Sequence, residues 1–167
     1  KMSKSLGNSP DPLDLIDKYG ADALRFGVML IAPQGEDILF SEERLEVGRN
    51  FMNKLWNASR FLLMNLAQPG MRDLVKADLD SHSANFELCD RWILSRYNRT
   101  IDEVNRHLES YHFNNAAKAI YDFLWSDFCD WYIEFSKERF YASGTAPQDT
   151  RGKEVALSVA VHILIRA

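Results

Sequence analysis

From residue 12 to the end of the chain, apolar residues return every three or four positions, and nowhere does an alternation of period two persist. That spacing marks one face of an α-helix, so the expected fold is all-α: a helical bundle in which each member buries a stripe. Local punctuation frames the first element in SPDPLDLIDKYGAD, where Asp11 caps, Pro12 takes the first helical position, Asp14 favours the N-terminal dipole and Gly20 closes the end. A second short helix over 21–30 stops before Pro33, and 32–40 reads as a loop. Ser41 is the expected N-cap of a long helix to about Asn65, with Leu45, Gly48, Met52, Leu55, Ser59, Leu62 and Leu66 as its inward stripe.

Residues 67–86 break the period with Pro69 and Gly70 and then run polar, which predicts a loop of some twenty residues. A helix from about Glu87 to Ser110 follows, with Ile93, Tyr97, Ile101, Val104 and Leu108 inward. After a break near 111–114, a third long helix carries Ala117, Ile120, Leu124, Phe128, Trp131 and Phe135, and ends at Gly144 and Pro147. The cluster Trp125, Trp131, Tyr132 and Phe135 is expected in the core. A final helix from about Arg151 is apolar on almost every side and should lie centrally. It reaches Ala167 with no cap or polar tail, so the chain reads as a piece of a longer polypeptide whose bundle is truncated at the C-terminus.

Composition narrows the function classes. Hydrophobic residues make up 46% and charged residues 26%, the balance of a soluble globular protein. A net charge of −4 argues against indiscriminate nucleic-acid binding but leaves room for a local basic stripe. The apolar run at 155–165 is shorter than the roughly 20 residues a bilayer demands, so no membrane contact is expected. Cys89 and Cys129 read as reduced core thiols of a cytoplasmic protein. His82, His107, His112 and His162 offer no metal-ligand spacing with a carboxylate or thiol, and no metal is assigned. Asp127, Asp130 and Glu134 share one side of their helix and read as solvated acids.

The opening KMSKSLGN lacks the spacing of a Walker loop, yet it offers ammonium groups at Lys1 and Lys4 and hydroxyls at Ser3 and Ser5. Lysine is a compact, movable point charge suited to a phosphate chain whose charge shifts during reaction. KMSKSLGN followed by DPLDLIDKYGADALRFGVML resembles the signature loop of class I aminoacyl-tRNA synthetases and the helices after it. RNFMNKLWNASRF and FCDWYIE are similar to the valyl-tRNA synthetases more than to the isoleucyl or leucyl branches.

The resemblance implies two units: the loop and connecting helices over residues 1–40, and an anticodon-binding helical bundle over residues 41–167. It implies an ATP-dependent, Mg2+-using parent ligase that attaches valine to its tRNA. In that parent Lys1 and Lys4 would be catalytic, stabilising charge on the β- and γ-phosphates, and Ser3, Lys4 and Ser5 would bind the ATP phosphates. The nucleotide pocket, amino-acid site and editing site lie outside this chain. The isolated piece is therefore expected to be inactive, to hold no ATP tightly, and to be a monomer that binds the anticodon stem-loop.

On the long helix, Arg49, Asn53, Asn57 and Arg60 share a stripe beside the apolar one. Any such set is a solvated helix face by default. Two guanidinium groups flanking two amides nonetheless supply both phosphate contacts and base-edge donors and acceptors. Trp56, near the same stripe, is either a stacking platform for an unstacked loop base or a core residue. Within the resemblance these five are the expected tRNA-binding residues. Arg91, Arg96, Arg99 and Arg106 are expected in surface ion pairs, with Glu103 and Glu109 among them. The competing readings are a stand-alone helical interaction module, without RNA affinity, and the corresponding piece of an isoleucyl or leucyl enzyme.

Overall fold

A computed structural model describes residues 9–32, 35, 40–75, 79–141 and 147–167, and every described element is helical. The opening KMSKS loop, most of 33–39, and Gly144 lie outside the described residues.

Helix α1 (Pro12–Tyr19) starts as its punctuation demands: the Asp11 carboxylate accepts from the Leu13 amide at 2.8 Å, and Gly20 takes φ +91° while donating to Ile16 O. Helix α2 (Ala21–Ile31) follows at once and lies against α3 (Glu43–Leu66). Their crossing is close because Gly48 has no side chain; a Cβ there would sit 2.4 Å from the Ala23 carbonyl oxygen. Leu15, Tyr19, Ala23 and Leu45 bury a small core between α1, α2 and the start of α3.

Ser41 does not cap α3. It contributes its carbonyl oxygen to the Arg44 amide, while the residue before the helix, Glu42, already has helical backbone angles and caps nothing. The Glu42 carboxylate is instead held by the Lys18 ammonium at 2.7 Å and the Tyr19 hydroxyl at 3.2 Å, tying α1 to the start of α3. The α3 stripe is broader than its periodicity suggested: Leu45, Gly48, Leu62 and Leu66 are buried as expected, with Phe51, Ala58 and Asn65 beside them. Met52, Leu55 and Ser59 are only half-buried. Helices α1, α2, the π-helical segment and the last helix all meet α3, so its buried arc spreads around a wider sector than one seam would need.

The 67–86 segment is not a plain surface loop. It holds two 3₁₀ turns, Arg72–Val75 and Leu79–Asn85, both packed on the last helix, and it buries Met71 while Leu74, Leu79 and Phe86 rest on the core. Helix α4 (Leu88–Glu109) then opens on a reciprocal capping box between Glu87 and Asp90. Its first half buries Ile93 and Tyr97, but Ile101 and Leu108 are exposed, because its second half runs past the bundle and packs chiefly on α5.

Helix α5 (Phe113–Asp122) follows a break at Tyr111, which has φ +61°. It continues without interruption through a π-helical segment (Phe123–Tyr132) into α6 (Ile133–Tyr141). A π turn takes more residues than an α turn. The inward face therefore falls on Phe128 and Tyr132, four apart, and Trp131 and Phe135 are turned outward at 54% and 56% exposure. Those two were expected in the core; they instead pack ring to ring at 5.5 Å on the surface.

Helix α7 (Pro147–Arg166) starts four residues earlier than expected and is central as expected. Seven consecutive residues, Val155–Val161, are buried. The 3₁₀ turns cover the side that the other helices leave open. The bundle's directions follow from its ring contacts. Phe51 meets Tyr121 at 5.0 Å and Phe61 meets Phe140 at 5.4 Å, so α3 and the α5–α6 rod run parallel. Tyr97 meets Phe123 at 6.0 Å while Asp90 meets Tyr132, so α4 runs against the rod.

At the α4–α6 junction lies a buried polar knot. Asp90, at 0% exposure, accepts from Arg139 Nη1 and Nη2 at 2.8 and 2.9 Å, from the Tyr132 hydroxyl at 2.7 Å, and from its own capping amide, Glu87 N, at 2.9 Å. Burial works against the Arg139 charge, but the hydrogen bonds and charge of Asp90 outweigh it and raise the guanidinium's pKa. Burial, then the neighbouring Asp90, drives the Tyr132 hydroxyl well above its ordinary range. Both cysteines are free.

Candidate nucleic-acid interface

The packing that buries Phe51, Ala58 and Leu62 sets the opposite sector of α3 in the open. Along that sector stand Arg49, Asn53, Trp56, Asn57 and Arg60, the five residues expected from the sequence. Asn53, Trp56, Asn57 and Arg60 are exposed, and Arg49 is partly covered. Trp56, at 70% exposure, lies on the surface and is not a core residue.

Arg49 is the anchored member of the row. Its guanidinium carbon lies 5.7 Å from the Tyr19 ring centroid, and Nη2 is 3.8 Å from Glu46 Oε1. The α1 helix therefore steadies one end of the stripe. Arg60 has no ion pair among the described residues, which leaves its five donors available. Between the arginines, about 16 Å apart at 1.5 Å per residue, two amides and an indole face outward. Such a row can neutralise phosphates at its ends, read base edges in the middle and stack one base.

The basic residues of α4 are arranged differently from the expected surface pairs. Only Arg96 is paired among the described residues, with Asp127 at 2.8 Å; Glu103 instead approaches His107 at 3.7 Å. The acids of the rod are likewise engaged: Asp130 pairs with Lys54, and Glu134 with Lys137 at 2.7 Å. Among the described residues no three His, Cys, Asp or Glu side chains converge to hold a metal ion, and no helix is long and apolar enough to cross a membrane. Lys1, Ser3, Lys4 and Ser5 lie outside the described residues.

The periodicity missed two cations. Lys54 reaches from α3 over the Trp125 ring, 4.2 Å from its centroid, while pairing with Asp130. Lys153 stands on the central helix at 6% exposure and donates to Gln68 Oε1 at 2.6 Å. Burial holds its pKa below the usual lysine range. Its signal in the sequence is a single lysine just ahead of the longest apolar run.

The chain is similar to known proteins along almost its whole length. Residues 1–41 match the family "tRNA synthetases class I (I, L, M and V)", and residues 90–167 match "Anticodon-binding domain of tRNA ligase". The chain is 48% identical over 98% of its length to a valine–tRNA ligase of Fusobacterium nucleatum, and 48% identical over 89% to that of Aquifex aeolicus. The ligase of Symbiobacterium thermophilum is 52% identical over 84%. The chain spans 17%, 12% and 15% of the lengths of these three relatives. A LeuRS chain from Agrobacterium radiobacter K84, solved as a ternary LeuRS–tRNA–LeuAMS complex, shares the fold with a TM-score of 0.64 at 21% identity, covering 99% of this chain and 18% of that one. With a class I synthetase segment leading into an anticodon-binding bundle, and near-half identity to valine–tRNA ligases along almost its whole length, the chain belongs to the valyl branch of the class I aminoacyl-tRNA synthetases.

Proposed function

We propose that this chain supplies the tRNA-reading bundle of a valine–tRNA ligase, an enzyme that joins valine to its tRNA using ATP by way of valyl-adenylate. The observation that carries the reading is the open face of α3. Arg49, Asn53, Trp56, Asn57 and Arg60 stand in a row on the sector opposite the buried Phe51, Ala58 and Leu62. Arg49 and Arg60 hold phosphates of the anticodon stem-loop, Asn53 and Asn57 meet base edges, and Trp56 stacks on an unpaired base. Residues 41–167 form this reading unit, and residues 1–40 form the loop and helices that join it to the ATP site.

In that ATP site Lys1 and Lys4 stabilise the charge that builds on the β- and γ-phosphates as pyrophosphate leaves, with Ser3 and Ser5 donating to the same oxygens. One such donor in a closed site is worth about 2.7–4 kcal/mol of barrier. ATP enters as its Mg2+ complex, and valine binds on parts of the enzyme beyond this chain. The protein works as a cytoplasmic monomer.

The test is the binding of valine tRNA by the chain as a function of salt, with leucine tRNA as competitor. The expected result is a linear fall of log affinity with log salt, and tighter binding of valine tRNA at every salt concentration. Affinity for both tRNAs no greater than for a random RNA of the same length would refute the reading.

A further inference from the structure

One turn beyond Arg60, the exposed face of α3 runs into a cleft of about 550 Å3 between the end of α3, the end of α6 and the start of α7. The Lys153 ammonium sits in its lining and donates to Gln68 Oε1 at 2.6 Å. Lys153 is more than nine-tenths buried, so its charge has lost most of its water and gains from each hydrogen-bond acceptor that reaches it. The other walls mix Asn65 and Thr150 with apolar and aromatic side chains and are partly open. Phe61 lies edge-on to Tyr141 at 6.1 Å, Tyr141 is exposed, and Met64 flanks the mouth.

A cation at the base of a cleft and an aromatic edge at its mouth suit a ligand with an anionic group joined to a flat apolar one. A nucleotide of a single strand has that form: phosphate to the ammonium, base against the aromatic ring. We infer that the Lys153–Tyr141 cleft is a nucleotide subsite, receiving one unpaired nucleotide of the RNA strand that crosses the α3 face. The inference rests on the proposed function and extends it to residues 141 and 153. Met64 is one turn past Arg60, so a strand following Arg49 to Arg60 reaches the cleft after one more nucleotide step.

The experiment compares the chain with Lys153→Met, Tyr141→Ala and Tyr141→Phe, using valine tRNA over a range of salt. Lys153→Met keeps the length of the side chain without its charge, and urea unfolding checks that it folds as the parent does. It is expected to weaken tRNA and to reduce the slope of log affinity against log salt by about 0.7, one single-strand phosphate's share. Tyr141→Ala should weaken binding about 5- to 150-fold with the slope unchanged, and Tyr141→Phe should bind as the parent does. If the parent chain binds tRNA while Lys153→Met and Tyr141→Ala bind with its affinity and slope, the subsite is wrong and the α3 reading stands. If the parent chain shows no preference for tRNA over random RNA, both fall.

Discussion

Replacing Asp90 by alanine should unfold this bundle more readily than any surface change, and the structure says by how much. The carboxylate has no exposure and accepts four hydrogen bonds, two of them from Arg139. Its loss leaves a guanidinium whose side chain is only 11% exposed with the half-exposed Glu87 carboxylate at 3.8 Å as its remaining counter-charge, and breaking a buried pair from one side costs about 3–5 kcal/mol. The same change removes half of the α4 capping box, worth about 1 kcal/mol. Against a total domain stability of about 5–15 kcal/mol, that is a large fraction. Urea unfolding followed by far-UV circular dichroism measures it directly. Asp122→Ala, which breaks the exposed pair with Lys118, serves as the surface control and should cost no more than about 0.5 kcal/mol. The diagnostic step is the cycle with Arg139→Ala. Either single variant leaves a buried charge without its close partner, whereas the double variant removes both, so the double should cost about 0.5–3 kcal/mol less than the sum. Additive losses, or a loss under about 1 kcal/mol for Asp90→Ala, would refute the account of a knot that is costly to half-undo.

Three further outcomes can be checked on the same chain. Gly48→Ala should destabilise by about 1–3 kcal/mol, since its Cβ would fall 2.4 Å from backbone oxygen, whereas Gly152→Ala meets only the Arg139 side chain at 3.7 Å and should stabilise by about 0.5–1 kcal/mol; equal effects in thermal melts would show that the α2–α3 crossing yields freely. Burial pushes the Cys129 thiol up to about 11, so at pH 8 it should react with iodoacetamide more than about 100-fold slower than an ordinary thiol near 8.5, and peptide mass spectrometry giving comparable rates would overturn that. Arg60→Ala should weaken all tRNAs alike and flatten the salt dependence by about one phosphate, while Asn57→Ala should weaken valine tRNA selectively by about 1–3 kcal/mol; small, uniform effects from both would leave a merely solvated helix face.

What was legible in the sequence was what is written over short range. Asp11, Pro12 and Gly20 announce α1 because capping acts within a turn, and the period of three and four gives every long helix. The exposure of the α3 row was legible too, because a helix that packs one side must show the opposite side to water. Three features were not. Asp90 finds Tyr132 and Arg139 at separations of 42 and 49 residues, and no local pattern marks such partners. The apolar residues of 67–86 anchor 3₁₀ turns that have no 3.6-residue period to display. Trp131 and Phe135 were misassigned because the period was carried at α-helical pitch through a segment that does not keep it.

That π segment has a consequence for how this part of the chain can vary. Between Phe123 and Tyr132 the backbone turns less per residue than an α-helix, so the segment acts as a phase adjuster between the two ends of the rod. Upstream, Tyr121 must meet Phe51; downstream, Arg139 must meet Asp90. The residue count between them is tuned to that rotation. Deleting one residue here would leave α5 in place and swing Arg139 off Asp90, whereas exchanging the outward Trp131 or Phe135 for another side chain would disturb neither end. Length in this stretch is therefore the constrained quantity, and surface identity the free one.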